Sequence, residues 1–304
     1  MAIEAEQLTT FAVVAKHGSI SAAALERHRS QPAVSAQLKR LTEAVGEPLY
    51  RRSRYGVELT EAGLMLLPYA QALVRALEGA RSWNRGLRAG QRGSIRVAAS
   101  MTVAVYLLPR ILADFHRGHP QLELQLLTRN SLDSLALLQR ADADLALVEG
   151  PVPAVPLDFE SRTLFHDEIV LAVLPSHPLA DRETVGAADL PGLTIVQREA
   201  GSGTREVVEQ AIEGMHLAVP GVKVALEATG IDAVKEAVLQ GFGAGFISRL
   251  AVQREVAAGE LRALSVSAPG FTRSMTLLHP NWELCSQATR RLLDFLSVTE
   301  DGPG

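Results

Sequence analysis

Ser30-Gln31-Pro32-Ala33-Val34-Ser35-Ala36-Gln37-Leu38-Lys39-Arg40-Leu41-Thr42-Glu43-Ala44-Val45-Gly46 is the stretch on which the reading of the chain turns. Ser30 stands ahead of Gln31-Pro32, a hydroxyl for the free N–H groups of a first turn and then a proline where helices tolerate one. Val34, Leu38, Leu41 and Val45 follow at steps of four, three and four residues, which predicts one buried helical stripe. The other face carries Ser35, Ala36, Lys39 and Arg40, with Gln37 at its edge. Small residues let a backbone approach a major groove, Ser and Gln can hydrogen-bond to base edges, and the cations can hold phosphates.

The flanking sequence fits a recognition helix. Upstream, Leu8, Phe11, Ala12 and Ala15 recur at helical spacing up to Gly18, and Ser19 and Ser21 offer caps for a short helix over 22–28. Downstream, Arg51, Arg52 and Arg54 lie in a strand, glycine turn and second strand ending at Leu59, a wing for phosphate or the minor groove. Thr60 then caps a helix expected to run to about residue 90, kinked or short of one hydrogen bond at Pro68. Leu66, Ala70, Leu73, Leu77, Ala80, Asn84 and Leu87 alternate four- and three-residue steps along it, the pattern of a coiled-coil seam for a second copy.

Charge supports the division. Residues 1–92 hold 13 Lys and Arg against 8 Asp and Glu, and the remainder 17 against 26, which together give the net charge of −4. A basic module on an acidic body suits a polyanion at one end, although a merely solvated helix face is an equal reading of charge alone. The 304 residues predict about two domains, and 47% apolar with 21% charged residues excludes disorder and low-complexity classes. No apolar run reaches membrane-spanning length, and the acidic start Met-Ala-Ile-Glu-Ala-Glu does not read as a signal sequence, so a cytosolic protein is expected. A single cysteine, Cys285, excludes an internal disulfide or a thiolate metal site.

Beyond a polar break at 91–94, strands over 95–99, 122–127 and 145–148 alternate with helices over 107–115 and 132–139. The pattern restarts at 169–173 and again at 193–196, where Ala200-Gly201-Ser202-Gly203-Thr204-Arg205 leads into a helix over 206–212. Strand–helix alternation predicts mostly parallel sheets. Hydroxyls and glycines between strand and helix, once at Ser100 and Thr102 and again at Gly201, Ser202, Gly203 and Thr204, offer helix N-termini to an anion, with Arg205 as a cation. Two lobes meeting at such ends would enclose a small ligand; an ordinary capped helix start is the equal alternative for the Gly201–Arg205 motif alone.

Gly18-Ser19-Ile20-Ser21-Ala22-Ala23-Ala24, Ser30-Gln31-Pro32-Ala33-Val34-Ser35 and Leu59-Thr60-Glu61-Ala62-Gly63 together resemble the N-terminal module of LysR-type transcriptional regulators, and the resemblance extends over nearly the whole chain. It implies a winged helix-turn-helix at 1–59, a linker and dimerisation helix at 60–92, and a periplasmic-binding-protein-like two-lobed α/β effector domain at 93–304. Lobe I would comprise 93–162 and 267–304, and lobe II 163–266, with crossovers near 152–162 and 265–273. Ser30, Gln31, Pro32, Ser35, Gln37, Lys39 and Arg40, with wing residues Arg51, Arg52 and Arg54, would contact DNA. Ser100, Thr102, Asn130, Gly201, Ser202, Gly203, Thr204 and Arg205 would face the effector, and Glu149 would lie near the hinge.

The effector-domain motifs 148–151, 198–205, 236–238 and 247–252 resemble the branch of cysteine- and sulfur-metabolism regulators of the CysL type. Two features depart from the pattern. Arg27 and Arg29 occupy normally apolar turn positions, where they loosen packing or snorkel outward to phosphate. Ile231 replaces a hydroxyl in Thr229-Gly230-Ile231, implying an effector that is less polar or bound with fewer hydrogen bonds.

The function expected is therefore a sequence-specific DNA-binding regulator modulated by a small anionic metabolite, with no catalytic residues, cofactor or metal. Double-stranded DNA, a second copy in a homodimer or homotetramer, and RNA polymerase for an activator are the expected partners, and no membrane. An α/β enzyme or a solute-binding protein for a small anion is the competing class. Against an enzyme, no nucleophile elbow, phosphate-loop lysine or His-Glu metal spacing is present. His166, His177 and His279 read as surface or satisfied histidines, and Asp142 and Asp144 as solvated loop carboxylates.

Overall fold

The computed structural model describes residues 2–53, 56–88, 93–152, 159–214, 222–267 and 269–298. Three helices open the chain, α1 (Ala5–His17), α2 (Ile20–Glu26) and α3 (Gln31–Val45). The Ser19 and Ser30 hydroxyls accept from the N–H groups of Ala22 and Ala33. Because Ser19 rather than Ser21 is the cap, α2 begins and ends two residues earlier than expected. Gly46 closes α3 at φ 86°, a left-handed conformation that a side chain would strain. Strands β1 (Tyr50–Ser53) and β2 (Gly56–Leu59) pair antiparallel as the wing.

The module's core joins Phe11, Val14, Val34, Leu38, Leu41 and Leu49 to Ala70 of the long helix α4 (Glu61–Arg88). Leu66 packs there too, and Ala70 is fully buried. The expected seam is corrected at these two positions: they anchor α4 to its own module because its first turns must cover that small core. Farther along α4 the expected seam is exposed at Leu77 and Ala80, and Leu64, Met65 and Tyr69 are exposed apolar residues of its first turns. Arg54, the side chains of Asn84 and Leu87, and residues 89–92 lie outside the described residues.

The body begins with β3 (Gly93–Ser100), a π-helical turn Val103–Leu107, α5 (Leu108–Gly118), β4 (Leu122–Arg129), α6 (Ser131–Gln139) and β5 (Leu145–Glu149). After it come β6 (Phe159–Val173), β7 (Thr184–Val185), β8 (Thr194–Arg198), α7 (Gly203–Gly214), β9 (Lys223–Ala228), α8 (Ile231–Leu239) and β10 (Ala244–Ser248). Helix α9 (Arg249–Ala257), β11 (Arg262–Val266), β12 (Thr272–Pro280) and α10 (Gln287–Val298) complete it.

Strand order is β4-β3-β5-β12-β6-β10-β8-β9, with β11 also on β6. The β4-β3-β5 and β10-β8-β9 runs are parallel, whereas β12 and β6 are antiparallel to their neighbours. The sheet is thus mixed at its centre. Strand β6 is the bridge. Its residues 159–168 pair with β12, and 169–173 pair with β10 and β11. One lobe therefore ends at Glu168, not at residue 162, and the change of lobe occurs within a continuous strand rather than a connecting segment. The second crossing lies between β11 and β12. Ile169 to Val173 are fully buried and read as a strand, whereas 159–168 keep polar residues on an exposed face, which disguised them as a linker.

Candidate functional site

Two sites follow from this arrangement. At the first, α3 presents exposed Gln31, Pro32, Lys39 and Arg40, with Ser35 half-buried beside them. Arg52 of the wing donates to Ser35 Oγ at 3.3 Å, so wing and helix form one surface. Gln31 Nε2 donates to Ser21 Oγ at 2.7 Å, while Lys39 and Arg51 pair with Glu43 and Glu58 at 3.8 and 3.3 Å. Two of the expected DNA contacts are also engaged within the module. Ser30 caps α3 through its hydroxyl, and Gln37 accepts a hydrogen bond from buried Thr10, so its oxygen belongs to the module's interior. Arg29 reaches Glu6 at 3.3 Å rather than packing in the turn.

The second site lies where the lobes meet. Arg273 of β12 is fully buried; it pairs with Glu149 at the end of β5 at 3.1 Å and with Asp167 of β6 at 2.8 Å. Its guanidinium also donates to Thr204 Oγ1 at 2.7 Å and Thr102 Oγ1 at 3.3 Å, and Ser248 donates to Asp167 at 2.9 Å. Thr102 and Glu149 come from one lobe, Thr204 and Ser248 from the other, so one guanidinium ties both. Burial lifts the Asp167 carboxyl above the ordinary aspartate range, with Arg273 and Ser248 opposing it. The backbone is equally close: a Cβ on Gly203 would lie 1.9 Å from the Glu149 carbonyl oxygen.

Ser100 Oγ, Ser202 Oγ and Glu149 Oε2 are buried without a hydrogen-bond partner among the described residues. They stand at the ends of β3 and β5 and at the start of α7. Asn130 caps α6 by accepting from the Asp133 N–H at 2.8 Å, and its amide borders Gly201 across the lobes. Tyr106 closes the same gap, accepting from Lys235 at 2.8 Å and donating to Asp232.

Ser100, Thr102, Asn130, Gly201, Ser202, Gly203 and Thr204 thus lie together where the lobes meet. Arg205 does not: it is held by Glu209 at 2.8 Å and Glu227 at 2.9 Å, on the α7–β9 side of its lobe. Ile231 also leaves the site, being buried in that lobe's core, so it says nothing about effector polarity. Asp142 and Asp144, expected to be solvated, pair with Lys16 and Arg96 at 2.7 and 2.9 Å. Sequence reasoning missed Arg273, Asp167 and Ser248, whose only signal was ionisable or hydroxyl residues adjoining apolar strand runs. His279 is buried and hydrogen-bonded to the Pro280 carbonyl, a satisfied structural histidine.

A winged helix-turn-helix joined by a long helix to a two-lobed domain with a polar inter-lobe site defines a transcriptional regulator carrying its own sensor. Residues 5–64 match the description "Bacterial regulatory helix-turn-helix protein, lysR family", and residues 88–299 match "LysR substrate binding domain". The chain belongs to the LysR family, as a DNA-binding transcriptional regulator with an effector-binding domain. It is 35% identical to the HTH-type transcriptional regulator CbbR of Xanthobacter flavus, over 95% of this chain and 86% of that one. Full-length OxyR from Pseudomonas aeruginosa, 21% identical, superposes with a TM-score of 0.71 over 98% of this chain and 96% of that one. The CcmR regulatory domain of Synechocystis PCC6803 in complex with 2-PG is 26% identical, with a TM-score of 0.63 over 69% of this chain and 99% of that domain. No helix among the described residues is long and apolar enough to cross a membrane.

Proposed function

We propose that a small anionic metabolite binds between the lobes and, by changing their angle, repositions the DNA-binding modules of a homodimer or homotetramer on DNA in the cytoplasm. The observation that carries this is the trio of buried, unpartnered oxygens, Ser100 Oγ, Ser202 Oγ and Glu149 Oε2. Leaving such groups without a hydrogen bond costs about 1–3 kcal/mol each, which a ligand would recover. Ser100 and Ser202 are donors for an anion, and the free carboxylate oxygen selects one that also carries a hydroxyl or amine. The CcmR domain solved with 2-PG supports a ligand of this size in the same fold. Arg273 is already neutralised by two carboxylates, so serine hydroxyls and helix N–H groups hold the anion rather than a guanidinium.

On DNA, Gln31, Pro32 and Ser35 meet base edges, while Lys39, Arg40, Arg51 and Arg52 meet phosphate. The exposed apolar residues of α4, Met65 and Tyr69 in its first turns and Leu77 farther along, receive a second copy, and an activator of this design would contact RNA polymerase. The test is a melting series of the protein against small hydroxylated anions. A ligand at 100 times its dissociation constant adds about 2.7 kcal/mol, and Ser202→Ala should abolish the shift. Turnover of the stabilising compound would instead support an enzyme, and a shift that survives both Ser202→Ala and Ser100→Ala would sink the site.

A further inference from the structure

Helix α6 has one end in the inter-lobe site and the other against the DNA-binding half of the chain. At its start, Ser131 Oγ donates to the Glu149 carbonyl at 2.8 Å and accepts from the Glu149 N–H at 3.3 Å. The Leu132 N–H reaches the Gly201 carbonyl of the opposite lobe at 3.4 Å. At its end, Arg75 of α4 donates to the Gln139 carbonyl at 3.1 Å and lies 4.4 Å above the Phe159 ring. Phe159 packs in one core with Leu135 and Leu138 of α6, so these two contacts of Arg75 belong to the same rigid unit.

The turn after α6 extends the contact. Ala141 is held at φ 61°, a conformation side chains resist, and beyond it Asp142 takes Lys16 of α1 at 2.7 Å. Asp144 holds Arg96, which also reaches Glu78 of α4 at 3.6 Å. This junction is polar. Beside it a cavity of about 340 Å³ is lined by Arg75, Glu78, Arg96, Asp144 and Cys285, so α4 rests on ion pairs rather than on a close-packed apolar face. Such a contact can be released without opening either core.

We infer that α6 carries the state of the inter-lobe site to the DNA-binding module: Glu149 and Gly201 set the position of its first turn, and its last turn sets α4 and α1 through Arg75 and Lys16. The inference rests on the reading that an effector occupies that site. Helix α6, packed on β3 and β5, and the strained turn after it provide the contiguous element that such coupling needs. Arg75 and Asp142 are then positioning residues, in contact with neither DNA nor effector.

The experiment is amide hydrogen exchange on the full-length protein with no effector added. Ser131→Ala, at the inter-lobe end, should speed exchange by about threefold or more in 70–78 of α4 and at the end of α1, segments Ser131 does not touch. Asp142→Lys should do the same from the other end, and the swap Lys16→Asp with Asp142→Lys should restore the original rates. The surface swap keeps the test meaningful if Ser131→Ala fails to fold. Changes confined to 130–135, or a swap that does not rescue, would overturn the coupling. Because no ligand is used, failure to find an effector leaves these readouts intact, and a genuine effector shift with unaltered exchange would sink only the role of α6.

Discussion

Replacing Gly203 by alanine tests whether the inter-lobe joint is as tight as its geometry indicates. The added methyl would sit 1.9 Å from the Glu149 carbonyl oxygen, 2.7 Å from its carbon and 2.8 Å from Ser131 Oγ. Ordinary contact begins near 3.4 Å, so β5 and the start of α7 must separate by about 1.5 Å. Both obstructing carbonyl atoms are backbone and cannot rotate aside. The displacement would carry Thr204 away from Glu149 and Arg273, which it meets at 3.4 and 2.7 Å. Overpacking of this kind costs about 3 kcal/mol, and for a body of this size about 6–12 °C in melting temperature. Gly118→Ala is the control: it also sits in a helix but meets nothing within 4 Å among the described residues, and should be neutral or slightly stabilising. Thermal melting would read both, with a stabilising anion showing whether closure survives. A melting point within about 2 °C of the parent, with the anion's shift retained, would refute the claim that Gly203 sets lobe closure.

Three other outcomes are expected. Arg52→Ala should weaken binding to specific and unrelated DNA alike and lower the salt slope by about 1; an unchanged slope in a salt titration would remove Arg52 from the phosphate surface. Neighbouring substitutions on α4 should diverge, Ala70→Asp unfolding the buried DNA-binding module and Tyr69→Asp, on the exposed face, leaving it folded but dissociating the assembly; sedimentation and circular dichroism separate the two. Burial pushes the Cys285 thiol up to about 11, so at pH 8 it should resist a thiol reagent until denaturant exposes it; rapid labelling of the native protein would contradict the packing around it.

The DNA-binding half was legible because its signals are local. Ser30, Pro32 and Gly46 act within a few residues of themselves, and the Val34–Leu38–Leu41 stripe needs only helical geometry. The α4 seam was half legible. A four-three repeat marks an apolar face but not its partner, and Ala70 met the module's own core instead of a second chain. In the body, the hydroxyl-glycine turns were found, but the ion cluster that joins them was not. Arg273 is 106 residues from Asp167 and 171 from Thr102, so no local pattern links them. Asp142 and Asp144 looked solvated because their cations, Lys16 and Arg96, come from elements distant in sequence.

The interleaving of strands has a consequence for synthesis. Strand β5, at 145–149, takes β12 at 275–278 as its neighbour, and β6 takes the same strand along its first ten residues. On a ribosome, the first lobe therefore waits for nearly the last segment of the chain before its sheet is complete. The module up to Ala70 closes its core from residues already made, and local contacts form fast. A nascent chain thus holds a folded DNA-binding head well before it owns a working sensor. Truncation or stalling upstream of β12 would release a reader of DNA that nothing regulates.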